Sequence, residues 1–351
     1  MDSRYTITAN FEDGALHQFE CAENEDILSA ALRQQVVLLC SCRKAFCGSC
    51  KALCMEGEYA FGDRVNVQVL SPKEEEDGVV VACDTFPRSD MALAFPYTSD
   101  RLGSCSSENL EAQVEIVERL SSTVYKLLLQ VRDPVSHEAK RIEFQPGQYA
   151  ELQLPDGEQT RAFSFANIAD DSGLLEFLIR LVPGGCFSTY LQQRAVPGDV
   201  LKLRAPLGAF TFQPGDQDEG LHAFVGGSTG LAPLLSMLRG LARQDYRGEC
   251  HLFFGMQDQA ALYYEDELRE LAASMPRLTL HLALMDPPPQ WQGYTGNAVT
   301  AFEQHFAALA RKPEVYICGP AAMVEATRAS CERLNIPEHR VHREEFVASG
   351  G

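Results

Sequence analysis

The 351-residue sequence predicts a multi-domain α+β chain: a small sheet domain carrying a cysteine loop, an antiparallel β-barrel, and a doubly wound α/β domain. Three observations predict it. Alternating apolar and polar residues flank a turn near the start. Short strands with almost no helix recur from about 111, and from about 215 apolar strands alternate with helical stretches. The boundaries fall at 1–98, 111–214 and 215–351, with residues 99–110, in a stretch rich in Pro, Ser and Gly, as a linker.

In the first segment "RYTITANF" and "ALHQFECA" alternate around "EDG", a hairpin signal. "NEDILSAALRQQ" sets Ile27, Leu28, Ala31 and Leu32 on one helical face, with Asn24 or Asp26 as the cap. The cysteine loop follows, then the apolar run "GVVVAC" ending at Cys83. In the second segment "AQVEIVERL", "STVYKLLLQV", "RIEFQPGQYAELQL", "RAFSFA", "LLEFLIRLV" and "DVLKLRAPLGAF" are strands, and PG turns at 146, 197 and 214 suit a small closed barrel. In the third, "HAFVGG", "CHLFFGM", "LTLHLALM" and "EVYICGP" each precede a helical stretch, the pattern of a parallel sheet whose ligands sit at the carboxyl ends of its strands. There is no internal repeat, and "KEEED" at 73–77 reads as a solvated loop.

Composition excludes several functions. A formal net charge of -19 argues against binding nucleic acid or anionic membranes and favours basic protein surfaces or neutral small molecules as partners. Twelve cysteines are too few for a disulfide scaffold at this length, "MDSRYTITANFEDG" lacks a basic and then apolar leader, and no stretch approaches the roughly 18–20 apolar residues of a membrane span. The expectation is a cytoplasmic protein with reduced thiols. The eight histidines, His222, His251 and His281 among them, form no H-E-x-x-H or paired metal spacing and read as structural or surface residues. Without G-x-S-x-G or a Walker loop, hydrolysis and phosphoryl transfer have no support.

"CSCRKAFCGSCKALC", residues 40–54, is the strongest chemical signal. Cys42, Cys47 and Cys50 stand as C-x4-C-x2-C with Cys83 at a distance, the plant-type spacing for a [2Fe-2S] cluster. A four-cysteine zinc site would show two short C-x2-C pairs, and only one is present, so zinc or unliganded thiols are the weaker readings. Small residues at Ala45, Gly48 and Ser49 would let backbone amides approach the sulfides. Cys40 and Cys54 are expected to be packing residues, since a free cysteine behaves as a small hydrophobe.

The order of cysteine loop, barrel and doubly wound domain resembles the ferredoxin:NAD reductase superfamily. Within it "ALRQ", "CKALCMEGEY", "EEEDG", "TFPRSDMALAFPYT" and "EEFVASG" are most similar to the reductase components of soluble methane and related di-iron alkane monooxygenases, over essentially the whole chain. The resemblance implies a β-grasp ferredoxin domain, an FAD-binding barrel and an NAD-binding domain. "RAFSFAN" resembles the R-x-Y-S motif, so Arg161 would pair with the FAD pyrophosphate, Phe163 pack on the flavin in place of the usual tyrosine, and Ser164 reach N5. "GGCFSTYLQQ" resembles the second flavin element, giving Gly185 and Ser188 to the diphosphate at a helix N-terminus. "FVGGSTGLAP" resembles the nucleotide loop through Gly227, Thr229, Gly230 and Pro233, with Ser228 where glycine is common. "YICGPAAM" resembles CGP-x-x-M, which puts Cys318, Gly319 and Pro320 at the nicotinamide, and "REEF" resembles the segment bringing Glu344 and Phe346 to the flavin.

The acidic "MQDQAALYYEDEL" offers no cation to an extra phosphate and favours NADH over NADPH. The implied activity is that of an NADH:acceptor oxidoreductase. By the same resemblance, Ser164, Cys318, Glu344 and Phe346 would shape the site where FAD accepts hydride, and the [2Fe-2S] cluster would supply single electrons to a di-iron oxygenase component. The competing readings are a reductase serving an aromatic-ring dioxygenase and a zinc-binding interaction module on a nucleotide fold.

Overall fold

The computed structural model describes residues 3–40, 45, 48–65, 69–99, 102, 108–133, 135–157, 159–212 and 220–346. The chain divides into two compact units, 1–107 and 108–351.

In the first unit the hairpin strands β1 (Arg4–Asn10) and β2 (Leu16–Ala22) pair antiparallel around Gly14, whose φ of 80° suits the turn. Helix α1 (Ile27–Arg33) begins at Asp26, whose carboxylate accepts from the Ser29 amide at 2.9 Å, so of the two candidate caps Asp26 serves. The helix buries Ile27, Leu28, Ala30 and Ala31, and each large apolar side chain taken from water contributes about 1.5–3 kcal/mol. Next come β3 (Lys51–Glu56), β4 (Tyr59–Phe61), α2 (Pro72–Glu76), β5 (Val79–Val81), β6 (Thr85–Pro87) and β7 (Met91–Ala94). The main sheet runs β2-β1-β7-β3-β5, with β4 and β6 paired separately. The run at 73–77 is not a plain loop. Ser71 and Glu74 form a reciprocal capping box and Pro72 fills the first helical position, which is enough to start a short helix through the acidic residues.

The second unit opens with β8 (Glu108–Arg119), β9 (Val124–Val131), β10 (Tyr149–Gln153), β11 (Thr160–Ser164), β12 (Leu174–Arg180), α3 (Cys186–Gln193) and β13 (Val200–Leu207). Six strands run β11-β10-β13-β8-β9-β12, all antiparallel. The two edges meet through a Phe165–Phe177 bridge and the Ala166 amide, which donates to the Glu176 carbonyl at 2.8 Å. Inward residues such as Leu127, Leu129, Leu152, Phe177 and Leu203 fill the interior.

Then follow β14 (Leu221–Gly227), α4 (Leu231–Arg243), β15 (Glu249–Asp258), α5 (Glu265–Ser274), β16 (Leu278–Asp286), β17 (Tyr294–Thr295), α6 (Ala298–Ala307), β18 (Glu314–Pro320), α7 (Ala321–Arg333) and β19 (Val341–Phe346). The sheet is parallel throughout, in the order β17-β16-β15-β14-β18-β19. Strand order reverses between β14 and β18, which opens a crevice at their carboxyl ends. Helix α4 is buried on almost every side because the barrel covers what the sheet leaves open. Ser236 Oγ donates to the Asn167 carbonyl at 2.6 Å, and Arg239 donates to the Ala166 carbonyl at 2.9 Å and pairs with Glu176 at 3.0 Å. Among the described residues no helix is long and apolar enough to cross a membrane.

Candidate functional site

Of the four predicted metal ligands, Cys42 and Cys47 lie outside the described residues, while Cys50 and Cys83 are buried. Cys83 sits in the 3-10 turn after β5, and the Ala45 amide donates to its sulfur at 3.2 Å. Ala45 takes a φ of 51° and Gly48 one of 71°, both left-handed. Side chains of Cys40 and Cys50 donate to Cys83 as well, and these contacts, Cys40 first, lower the Cys83 thiol well below the ordinary range, while Cys40 and then Cys83 push the Cys50 thiol up. A buried sulfur beside further cysteines and a converging amide fits a cluster taking thiolate ligands. Cys40, expected to be a packing residue, is buried against Cys50 and Cys83, two of the predicted ligands. Cys54 is half-buried and donates to the Glu56 carbonyl at 3.4 Å, as packing implies.

On the barrel, Tyr149 pairs with Ser164 and Ala150 with Phe163. The Phe163 ring stands edge-on to Phe187 of α3 at 4.9 Å, so the aromatic position and the second flavin element are neighbours. Arg161 bonds to the Thr160 carbonyl at 3.0 Å and Gln159 at 2.9 Å, both neutral acceptors that leave its charge for an anion. Gly184 has a φ of 74° and Gly185 caps α3, whose first amides receive no bond from a side-chain cap. The buried Ser188 hydroxyl accepts from the Val182 amide at 2.7 Å, which fixes the turn while its own proton can still donate. A cleft of about 500 Å³ lies beside these residues, lined by Gln159, Cys186, Thr189 and the Arg194–Asp156 pair.

In the α/β domain Gly227 ends β14, Ser228–Gly230 form a 3-10 turn, and Pro233 lies in the first turn of α4. A Cβ on Gly230 would stand 2.0 Å from the Cys318 carbonyl oxygen, and one on Gly227 would stand 2.7 Å from Met323 Sδ. Only glycine lets the two loops touch. Thr229 is buried with them. Ser228 adopts a φ of 52°, which explains why glycine suits that position, and the Tyr263 hydroxyl donates to its carbonyl at 2.9 Å.

Cys318 ends fully buried on β18, followed by Gly319 and by Pro320 as the N-cap of α7. Burial, and then the Glu344 carboxylate, push the Cys318 thiol well above its usual range. Cys318 is the register partner of Glu344, and Pro320 that of Phe346. Glu344 is buried, and Ser164 Oγ donates to its Oε2 at 3.3 Å. The structure therefore brings Ser164, Glu344 and Cys318 together at one corner, although 180 residues separate the first two. Gly208 borders the same corner, since a Cβ there would meet the Tyr149 ring at 2.7 Å and Glu344 Oε1 at 4.0 Å. Tyr149, Gly208 and Tyr263 carried no motif in the sequence and become visible only through these contacts. At the carboxyl end of β15 a cavity of about 310 Å³ is lined by Tyr263, Tyr264, Glu265, Asp266 and Glu267, with no Lys or Arg among its lining residues.

Three family models match: a 2Fe-2S iron-sulfur cluster binding domain over residues 10–88, an oxidoreductase FAD-binding domain over 111–212 and an oxidoreductase NAD-binding domain over 224–329. The chain is 40% identical over 283 residues to methane monooxygenase component C of Methylosinus trichosporium, covering 80% of this chain and 81% of that protein. It is 32% identical over 345 residues to the anthranilate 1,2-dioxygenase electron transfer component of Acinetobacter baylyi, covering 98% of each. Among solved structures, the Amycolatopsis cytochrome P450 reductase GcoB superposes with a TM-score of 0.77 at 30% identity, over 98% of this chain and 100% of that one.

Proposed function

The chain belongs to the family of FAD- and [2Fe-2S]-containing reductase components of oxygenases, and on that premise we propose that its acceptor is the hydroxylase of a soluble di-iron methane or alkane monooxygenase. It is an NADH:acceptor oxidoreductase whose cofactors supply the redox chemistry: NADH a hydride, FAD the exchange of a pair for single electrons, and the [2Fe-2S] cluster single-electron transfer.

The chain's own residues position and tune. Arg161 and the uncapped start of α3, with Gly185, serve the FAD diphosphate, Phe163 the flavin ring. Ser188 braces that turn and serves the diphosphate with its hydroxyl proton. Ser164 donates its hydroxyl proton toward Glu344, so one buried hydrogen bond holds the barrel edge against β19. Cys318 stays a neutral thiol at neutral pH and offers an uncharged surface for the nicotinamide. Gly227, Thr229, Gly230, Pro233, Gly319 and Pro320 shape the two loops that receive NADH, and Phe346 closes the C-terminal side. The acidic cavity after β15 suits a ribose hydroxyl and repels a phosphate, which favours NADH over NADPH. Cys42, Cys47, Cys50 and Cys83 are the proposed cluster ligands. Segments 1–98, 111–214 and 215–351 are the proposed domains, and the cytoplasm, which keeps thiols reduced, the proposed location.

The observation that carries the acceptor is 40% identity to a methane monooxygenase component against 32% to a dioxygenase component. The dioxygenase alternative draws support from the longer alignment, 98% of each chain. The test is stopped-flow reduction of purified terminal oxygenases by NADH and the loaded reductase. A di-iron hydroxylase should be reduced at least tenfold faster than a ring-hydroxylating dioxygenase, and the reverse order would replace the proposal with the alternative.

A further inference from the structure

Three histidines outside the redox sites converge on the α6 side of the parallel sheet. His251 is the third residue of β15, His281 the fourth of β16, and His305 lies in the last turn of α6. One ring nitrogen from each lies within 4.8 Å of the others. His251 Nδ1 and His281 Nε2 are 3.2 Å apart, close to the roughly 3.3 Å between two ligands of a tetrahedral ion with bonds of about 2.0–2.1 Å.

The surroundings are those of a built site. His251 Nε2 stands 3.1 Å from the Glu249 carboxylate, which accepts the N–H of that nitrogen and so favours the tautomer whose Nδ1 lone pair faces His281 Nε2. Glu249 is itself 3.8 Å from Arg311. Phe253 stacks on His281 at 4.3 Å with planes 5° apart, and Phe306 stands edge-on to His305 at 4.8 Å, so packing fixes both rings. Nε2 of His305 is buried and has no hydrogen-bond partner. A hydrogen bond between His251 and His281 would satisfy two rings and leave the third with a buried polar atom unanswered.

We propose that His251, His281 and His305 form a site for a divalent transition-metal ion of the zinc type, with Glu249 as the outer carboxylate that orients His251 and water completing the shell. The site lies about 13 Å down β15 from Gly255, the partner of Gly227, and so stands apart from the nucleotide end of the sheet. Its bound ion ties β15, β16 and α6 together.

The experiment uses the full chain loaded with FAD and its iron-sulfur cluster, titrated with Zn2+ against a chromogenic chelator and then examined by zinc X-ray absorption at one equivalent. The expected result is one tight equivalent, nitrogen or oxygen neighbours at about 2.0–2.1 Å with no sulfur near 2.3 Å, and weaker binding as pH falls. His281→Gln and His305→Asn should each weaken zinc at least 100-fold while leaving NADH–ferricyanide turnover unchanged. Sulfur in the zinc shell, wild-type affinity in both variants, or no bound zinc in the wild-type protein would each overturn the site. Should a variant misfold, the absorption spectrum of the wild-type protein still decides.

Discussion

The Cys83 sulfur accepts from the Ala45 amide, and Ala45 pays for that aim with a left-handed φ of 51°, a strain of about 1 kcal/mol for an L-residue. Such strain persists where the surroundings fix it, here a loop carrying buried sulfurs. Cys83→Ser and Cys50→Ser should therefore abolish bound iron and the visible absorbance of the cluster, while Cys40→Ser and Cys54→Ser keep both. Iron counted per chain checks this, and loss of iron in Cys40→Ser would make Cys40 a ligand. Spacing made Cys42, Cys47, Cys50 and Cys83 legible because a loop must present ligands at short fixed intervals. It could not show that Cys40 touches Cys50 and Cys83, since that contact depends on how the chain enters the loop. The histidine trio was illegible for the same reason: its members come from three elements, and no local interval links them.

The Ser228–Gly230 turn decides whether the nucleotide end of the α/β domain can form. At Gly230 an added Cβ would meet the Cys318 carbonyl at 2.0 Å, and its other close neighbours are also backbone, so nothing flexible can yield. Gly230→Ala should cost about 1–3 kcal/mol of stability and raise KM for NADH several-fold, as read from urea unfolding and initial rates. Ser228→Gly should move stability the other way or leave it unchanged, because glycine takes a φ of 52° without strain. A stability loss in Ser228→Gly comparable to that of Gly230→Ala would show that the serine side chain, and not the backbone shape, is what the turn needs. Elements of this kind were legible because period-2 and strand-then-helix patterns survive in one sequence. The short helix α2 was missed because its cause is a capping box at Ser71 and Glu74 and not an apolar stripe. The corner of Ser164, Glu344 and Gly208 was legible only in part. "RAFS" and "REEF" marked two of its sides by resemblance, while Gly208 and Tyr149 had no motif to carry them.

At the scale of the molecule, the barrel and the parallel sheet are joined by polar contacts that burial strengthens: Arg239 with Glu176, Tyr264 with Glu176 at 2.9 Å, and Ser164 with Glu344. The first unit's periphery carries exposed Glu12, Asp13, Glu20, Glu56, Glu58, Glu75, Glu76 and Asp77, within a chain whose formal net charge is -19. Exposed carboxylates of this sort add little to stability, yet they set a long-range field that speeds encounter with a basic partner and repels another acidic one. Reduction of the oxygenase by this chain should therefore depend on ionic strength through the association step. The second-order rate constant should fall by about tenfold or more as salt rises from 20 to 300 mM, because the Debye length shrinks from about 20 Å to below 8 Å. The rate of flavin reduction by NADH, in which the acidic unit meets no protein partner, should change far less over the same range and serves as the internal control. Stopped-flow traces at the two wavelengths separate these steps. A salt-independent rate of oxygenase reduction would mean that docking rests on apolar contact and that the acidic periphery plays no part in it.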